Sequence, residues 1–339
     1  VSELVDMQKQ LVPELMETMV KRYRMLQYVR LMQPIGRRSL ADNLHLSERV
    51  VRGEVTLLKQ QGLITFTTAG MSISDSGETI FLALEEMMSE LLGLRKLAEQ
   101  LEEKLQVKNV VVVAGDSDEN EWVKQELGRA CSLEIKRQVE RGDVLAVMGG
   151  TTLAAVASVM TPDGTLASTT VVPARGGLGE KVEIQANSVS AEFARRTGAS
   201  YRLLHVPDQL SEDAYTSLVL EPSVRDILEL IASTSIVVHG IGDAKRMAAR
   251  RDSDQLFIDK LRREKAVAEA FGYYFNAKGT IIHKQRTIGL QLDELEGKYV
   301  ISIAGGHSKA EAILAYMQQQ RPSDVLITDE AAAKAMLVQ

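Results

Sequence analysis

With 339 residues, the chain is long enough for two ordinary domains, and its 45% hydrophobic content is enough to bury two cores. No apolar run reaches membrane-spanning length and no signal-peptide pattern opens the sequence, so a cytoplasmic protein without a membrane partner is expected. One cysteine, Cys131, excludes a disulfide within the chain, and five scattered histidines lack metal-ligand spacing, so no metal is expected.

The charge is unevenly spread. From Lys21 to Lys59 nine lysines and arginines face three acids, a local +6 in a chain whose formal total is −6. A basic head therefore precedes an acidic body, which points the head toward nucleic acid. The stretch Gln8 to Leu31 has helical periodicity, with Leu11, Leu15, Met19, Leu26 and Val29 on one apolar stripe, and Pro34 ends it. Ser39 to Asp42 has capping-box spacing and predicts a short helix through Leu44, with His45-Leu46 as the turn. Ser47 then caps a second helix in which Val51, Val55 and Leu58 face a core and Glu48, Arg49, Arg52 and Thr56 face solvent. That is the spacing of a helix-turn-helix, whose second helix reads the major groove of double-stranded DNA. Arg37 and Arg38 suit phosphate contacts, and Arg49 and Arg52 suit base readout, beside Ser47 and Thr56.

Gly62 stops the second helix, and Leu63 to Ser74 reads as two short strands about Ala69-Gly70, a wing. Beyond it, Leu84, Met87, Leu91, Leu94, Ala98, Leu101 and Leu105 form an unbroken heptad seam, read as a linking helix that either dimerises or packs on its own domain. The domain expectation is therefore a winged helix-turn-helix over 1–80, a helical linker over 81–106 and an effector domain over 107–339.

From Lys108 onward, strand-length apolar runs alternate with helical stretches: Val110 to Ala114, Val144 to Met148, Thr169 to Val172, Arg202 to Val206, Ile236 to His239, Val300 to Ala304 and Val325 to Thr328. This alternation predicts an α/β domain with a largely parallel, Rossmann-like sheet whose ligands bind beyond the strands' carboxyl ends. Glycine-rich turns fall at those ends. Gly149-Gly150-Thr151-Thr152 opens a helix with hydroxyl donors at its N-terminus, a phosphate pattern. Arg175 stands among the glycines of Pro173 to Gly179 and could clamp a phosphate bidentately. The segment Ala304-Gly305-Gly306-His307-Ser308-Lys309 repeats the arrangement and adds an ammonium. Three converging turns with Thr, Arg and Lys suggest an effector carrying two phosphates.

The head, followed by GDSD (115–118), GGTT (149–152), VPARGGLGE (172–180), QAN (185–187), HGIG (239–242), EAFGYYFN (269–276) and AGGHSKAEAI (304–313), resembles the SorC group of DeoR-type sugar-responsive repressors over nearly the whole chain. The resemblance implies a homo-oligomeric repressor of a glycolytic operon, a dimer assembling to a tetramer on operator DNA. It also implies relief by a phosphosugar, fructose-1,6-bisphosphate, with no cofactor and a body descended from sugar-phosphate isomerases. Matched motif by motif, the pocket would comprise Gly149, Gly150, Thr151, Thr152, Arg175, Gly177, Leu178, Gln185, Glu269 and Lys309. Arg250 joins them as one of three arginines, with Arg246 and Arg251, among which the motif does not choose. His307 replaces the group's usual small residue, which would alter pocket polarity. Glu269 reads either as an acceptor for sugar hydroxyls or as a helix-face glutamate.

The competing reading is an isomerase or deaminase with an accessory DNA-binding head. Such chemistry needs a general base near the sugar carbons, for which Glu269 and Asp116 are candidates. In the related deaminases the turn after the equivalent strand carries a histidine after its Asp-Gly pair; here Gly240-Ile241-Gly242-Asp243 is followed by Ala244-Lys245-Arg246, so no catalytic residue is assigned.

Overall fold

The computed structural model describes residues 7–8, 10–178, 181–208, 210–251, 253–319 and 322–339. The chain divides into two compact units, Val1–Lys96 and Leu97–Gln339. Among the described residues no helix is long and apolar enough to cross a membrane, and no cluster of His, Cys, Asp and Glu could hold a metal ion.

The first unit is a winged helix-turn-helix. Helix α1 (Pro13–Met32) buries Met16, Tyr23, Met25, Leu26, Tyr28 and Val29. Leu11 and Leu15, expected on its buried stripe, are exposed, and the buried face of the helix begins at Met16 instead. Helix α2 (Arg37–Leu44) starts two residues before Ser39, after an N-cap Gly36 that offers no side-chain cap, so the capping box expected at Ser39 is not formed. Arg37 and Arg38 thereby enter its first turn. His45 takes the left-handed conformation that ends α2. Ser47 caps α3 (Glu48–Gln60) by accepting from the Val50 amide at 3.3 Å, and Val51, Val55 and Leu58 are buried. Glu54 of α3 bonds Lys21 (2.5 Å) and Arg22 (2.8 Å) of α1, so two of the nine basic residues of the head hold its helices together.

The wing is β1 (Ile64–Thr67) paired antiparallel with β2 (Gly70–Ile73), and Met71 exchanges both backbone hydrogen bonds with Ile35 (3.0 and 2.8 Å). A Cβ on Gly70 would come within 2.9 Å of the Ile35 backbone, which is why this position takes glycine. The heptad seam is not one helix. Helix α4 (Asp75–Leu91) ends before Gly93, whose φ of 71° is left-handed, and α5 (Leu94–Leu105) is a separate helix. Phe81 of α4 stacks on Tyr23 at 4.6 Å within the first unit.

The second unit is built on a seven-stranded sheet in the order β3-β13-β12-β7-β4-β5-β6, parallel throughout. Its strands are β3 (Asn109–Val113), β4 (Val144–Val147), β5 (Thr170–Pro173), β6 (Ser200–Tyr201), β7 (Ile236–Gly240), β12 (Tyr299–Ile303) and β13 (Val325–Asp329). Helix α6 (Glu121–Gln138) follows β3 and buries Cys131 completely; burial pushes that thiol far above the ordinary range. The run Arg202 to Val206 is not a strand. Only Ser200–Tyr201 pairs with β5, after which the Asn187 side chain takes both the N–H and the C=O of Leu204 (3.1 and 3.0 Å), replacing a ladder partner. A second sheet, antiparallel and absent from the sequence reading, has the order β11-β10-β9-β8, from β8 (Gly242–Asp243), β9 (Ala266–Ala270), β10 (Tyr273–Asn276) and β11 (Ile281–Lys284). It places Glu269 on a strand, so the helix-face alternative is excluded.

Candidate functional site

From β4 the chain steps outward to β5 and β6, then returns to β7 and steps the other way through β12 to β13. The direction reverses between β4 and β7, and the carboxyl ends of these neighbours open the crevice that parallel sheets offer to ligands. There lies a cleft that is open to solvent on one side.

Four chain segments build it. The first is the turn after β4, Met148 to Leu153, leading into α7 (Thr151–Val159). The Gly150 amide donates to the Ile184 carbonyl at 2.8 Å, and a Cβ on Gly149 would stand 2.6 Å from that oxygen. Glycine is thus required where segment 184–186 presses on the turn. The Thr151 and Thr152 amides and hydroxyls, at the start of α7, have no hydrogen-bond partner among the described residues, which leaves a helix N-terminus open to an anion.

The second segment brings Arg175 from the end of β5. It is 7% exposed, and its guanidinium makes no hydrogen bond or ion pair among the described residues. Burial lowers its pKa, opposed by Asp208 and Glu269 and reinforced by Arg251 and Arg250. The third is the antiparallel sheet, which supplies Glu269, Ala270 and Phe271, and the adjoining helix Ala244–Arg250, which supplies Met247 and Arg250. The fourth is Lys309, after β12, whose ammonium donates to the Ile241 carbonyl at 2.7 Å. Desolvation, with Arg246 and Arg250 nearby, pushes its pKa down to about 8 despite Asp243 and Asp118.

The three arginines have separate places. Arg250 lines the cleft. Arg251 is buried beneath it, donating to Glu269 (2.9 Å), to Tyr274 Oη (3.1 Å) and, at 3.5 Å, to Asp208, whose other carboxylate oxygen has no partner among the described residues. Arg246 does not line the cleft. Glu269 also accepts from the Gly272 amide at 2.7 Å. Burial alone would raise its pKa, but Arg251, Arg175 and that amide outweigh it and hold the carboxyl below its usual range. Glu269 is therefore an ionised acceptor fixed for hydrogen bonding, poorly suited to carry a proton.

Of the residues singled out from the sequence, Gly149, Gly150, Thr151, Thr152, Arg175, Arg250, Glu269 and Lys309 line one cleft. Gly177, Leu178 and Gln185 do not. Gly177 packs against Gln185, whose Oε1 would lie 3.1 Å from a Cβ there, and pairs with Pro207; Gly179 and Glu180 of the same motif lie outside the described residues. The third glycine turn is also not a ligand cradle. The Gly306 amide donates to Asp329 (2.6 Å), that of Ser308 to Asp118 (2.7 Å) and that of His307 to Asp116 at 3.4 Å. Carboxylates of the chain itself occupy its donors, and His307 is exposed away from the cleft, so it does not set pocket polarity. Asp116 is held in the same loop contact, outside the cleft.

In the first unit, Arg49 and Arg52 are exposed on α3 with no ion pair among the described residues, whereas Arg38 bonds Glu48 at 3.1 Å. The Thr56 hydroxyl donates to the Arg52 carbonyl at 2.7 Å, so its donor is engaged within the helix. Two residues escaped the sequence reading, Phe66 of the wing and Lys59: the Phe66 ring has the Arg37 guanidinium 6.0 Å and the Lys59 ammonium 5.2 Å from its centroid, two cations from different helices on one aromatic ring.

The architecture defines a class, a winged helix-turn-helix unit on one chain with a parallel-sheet unit open to an anionic ligand. Family models agree: residues 18–88 match the "CggR N-terminal DNA binding domain" and residues 89–338 the "Putative sugar-binding domain". The chain is 54% identical over 98% of its length to the central glycolytic genes regulator of Priestia megaterium, covering 98% of that protein. It is 48% identical over 99% to the regulator of the same name from Bacillus subtilis, covering 99% of it. A SorC family transcriptional regulator structure from Enterococcus faecalis superposes with TM-score 0.68 at 43% identity, covering 71% of this chain and 99% of that one. The full-length sorbitol operon regulator SorC of Klebsiella pneumoniae shares the fold, at TM-score 0.63 and 18% identity over 94% of this chain and 99% of that one. The chain belongs to the central glycolytic genes regulators of the SorC family.

Proposed function

We propose that this protein represses a glycolytic operon in the cytoplasm and that fructose-1,6-bisphosphate relieves the repression. The observation that carries the effector class is the charge of the cleft. Arg175, Arg250 and Lys309 converge beside an open helix N-terminus, more positive potential than one phosphate would neutralise. One phosphate would rest on Gly149, Gly150, Thr151 and Thr152, and the second on Arg175, with Arg250 and Lys309 completing the charge balance. Glu269 would accept from sugar hydroxyls. Gly177, Leu178 and Gln185 would act by bracing the turn that carries Arg175.

On the DNA side, Arg49 and Arg52 would read base edges, Arg37 and Arg38 would contact phosphates, and Ser47 and Thr56 would line the helix face between them. The chain would act as a homodimer that assembles to a tetramer on its operator, joined through residues 81–106. Ligand would favour an arrangement with weaker grip on DNA, and by linkage DNA would weaken ligand equally. The enzyme reading is disfavoured by a Glu269 held ionised and by the absence of a histidine after Asp243. Calorimetric titration with fructose-1,6-bisphosphate and fructose-6-phosphate tests the proposal: the bisphosphate should bind more tightly, and equal affinities would refute a two-phosphate cleft.

A further inference from the structure

Three glycines stand inside helices among the described residues: Gly53 in α3, Gly77 in α4 and Gly128 in α6. Glycine weakens a helix relative to alanine, so each invites a reason. For two, the fold supplies it. A Cβ on Gly77 would lie 2.0 Å from the Leu63 carbonyl oxygen, and one on Gly128 would lie 3.0 Å from the Ala155 backbone. Gly53 has no such reason. Its backbone is ordinary helix without positive φ, and a Cβ there would meet nothing within 4 Å.

Its position on the helix gives direction to the question. Val51, Val55 and Leu58 form the buried line of α3, and a turn of 100° per residue puts Arg49, Gly53, Thr56 and Gln60 on the opposite side, all exposed. Gly53 lies near the middle of this face, one turn after Arg49 and beside Arg52. A glycine with room around it, in the face turned away from the core, matches a place where something outside the protein comes close.

We propose that Gly53 is the point of closest approach between α3 and the base edges on the floor of the operator's major groove. The missing side chain lets the helix seat deeper, which brings Arg49 and Arg52 within reach of the bases. Any Cβ at 53 holds the helix off and lengthens those contacts. The inference rests on reading α3 as the recognition helix, and it makes Gly53 a specificity-determining position without a side chain of its own.

The test uses the full chain and the variants Gly53→Ala, Arg49→Ala and Arg52→Ala, measured against operator and random duplexes by fluorescence anisotropy. Local stability is followed by amide hydrogen exchange over residues 48–60. Gly53→Ala should slow exchange in that segment by roughly fivefold, from helix propensity. It should weaken operator binding by about tenfold or more, as expected for overpacking a close-fitted surface, and change random-duplex binding by less than about twofold. Slower exchange with unchanged operator affinity would overturn the proposal, as would an equal loss on both duplexes. Faster exchange would overturn it too, by revealing an internal need for glycine. If neither arginine variant altered operator binding, the failure would belong to the recognition-helix reading.

Discussion

Replacing Arg175 by alanine should change the stability of the free protein far less than its affinity for effector. The guanidinium is 7% exposed, has no hydrogen bond or ion pair among the described residues, and sits where burial disfavours its charge. An ordinary buried salt-bridge partner would be missed when removed, because its counter-charge would be stranded. Here the nearby carboxylates already have Arg251: Glu269 at 2.9 Å and Asp208 at 3.5 Å. Deleting Arg175 therefore breaks no direct ion pair, and the free protein should lose only the longer-range support that Arg175 gives Asp208 and Glu269 and the packing of its aliphatic stem. Bound effector raises the stakes. Hydrogen bonds to a charged group contribute about 1.5–3 kcal/mol, so Arg175→Ala should weaken fructose-1,6-bisphosphate by roughly ten- to 150-fold. Fructose-6-phosphate, resting on the Thr151-Thr152 helix terminus, should lose less. Thermal melting with and without each sugar reads both effects in one experiment, since stabilisation follows ligand concentration over Kd. A variant that melts well below wild type without ligand, yet is stabilised by the bisphosphate as much as wild type, would refute the assignment.

The depressed pKa of Lys309, about 8, ties the effector to pH. A lysine whose folded pKa lies below its unfolded value binds fewer protons when folded, so stability of the free protein should rise as pH climbs from about 8 toward the ordinary lysine range, and Lys309→Met should flatten that rise in a denaturation series. Because phosphate favours the charged ammonium, bisphosphate affinity should fall above pH 8, and calorimetry near pH 8 should show proton uptake; pH-independent binding would contradict it. Lys59→Gln and Phe66→Leu should weaken operator and random DNA alike, with Lys59→Gln lowering the salt slope by about one; a loss confined to the operator would make them base-reading residues. Arg52→Ala should cost roughly 1–3 kcal/mol at the operator and little on random DNA, whereas Arg38→Ala should weaken both alike; competitive titration separates the two.

Elements set by local pattern were legible in the sequence. The recognition helix was, because Ser47, Val51, Val55 and Leu58 carry cap and stripe within a dozen residues, and six of the seven parallel strands followed from apolar runs bounded by glycine turns. Features set by distant partners were not. Ala266–Ala270 is a run of small residues that becomes a strand only through pairing with Tyr273–Asn276 and Gly242–Asp243. The heptad seam continues in sequence across Gly93, but the positive φ there breaks the helix. The turn at Gly305-Gly306 looks like a phosphate cradle until Asp329, Asp118 and Asp116, remote in sequence, are found on its amides. Likewise the choice of Arg250 over its neighbours depends on Glu269, Asp208 and Tyr274 drawing Arg251 under the cleft.

The proposed two-phosphate effector loosens a specific grip on DNA. Its most direct test is anisotropy of the full-length protein on an operator duplex selected from its own genome, titrated in parallel with fructose-1,6-bisphosphate and fructose-6-phosphate at fixed salt. The bisphosphate should release or weaken the operator complex at concentrations where the monophosphate has little effect, and Arg175→Ala should require far more of it. An operator complex that both sugars leave unchanged, or that both weaken equally, would contradict the account.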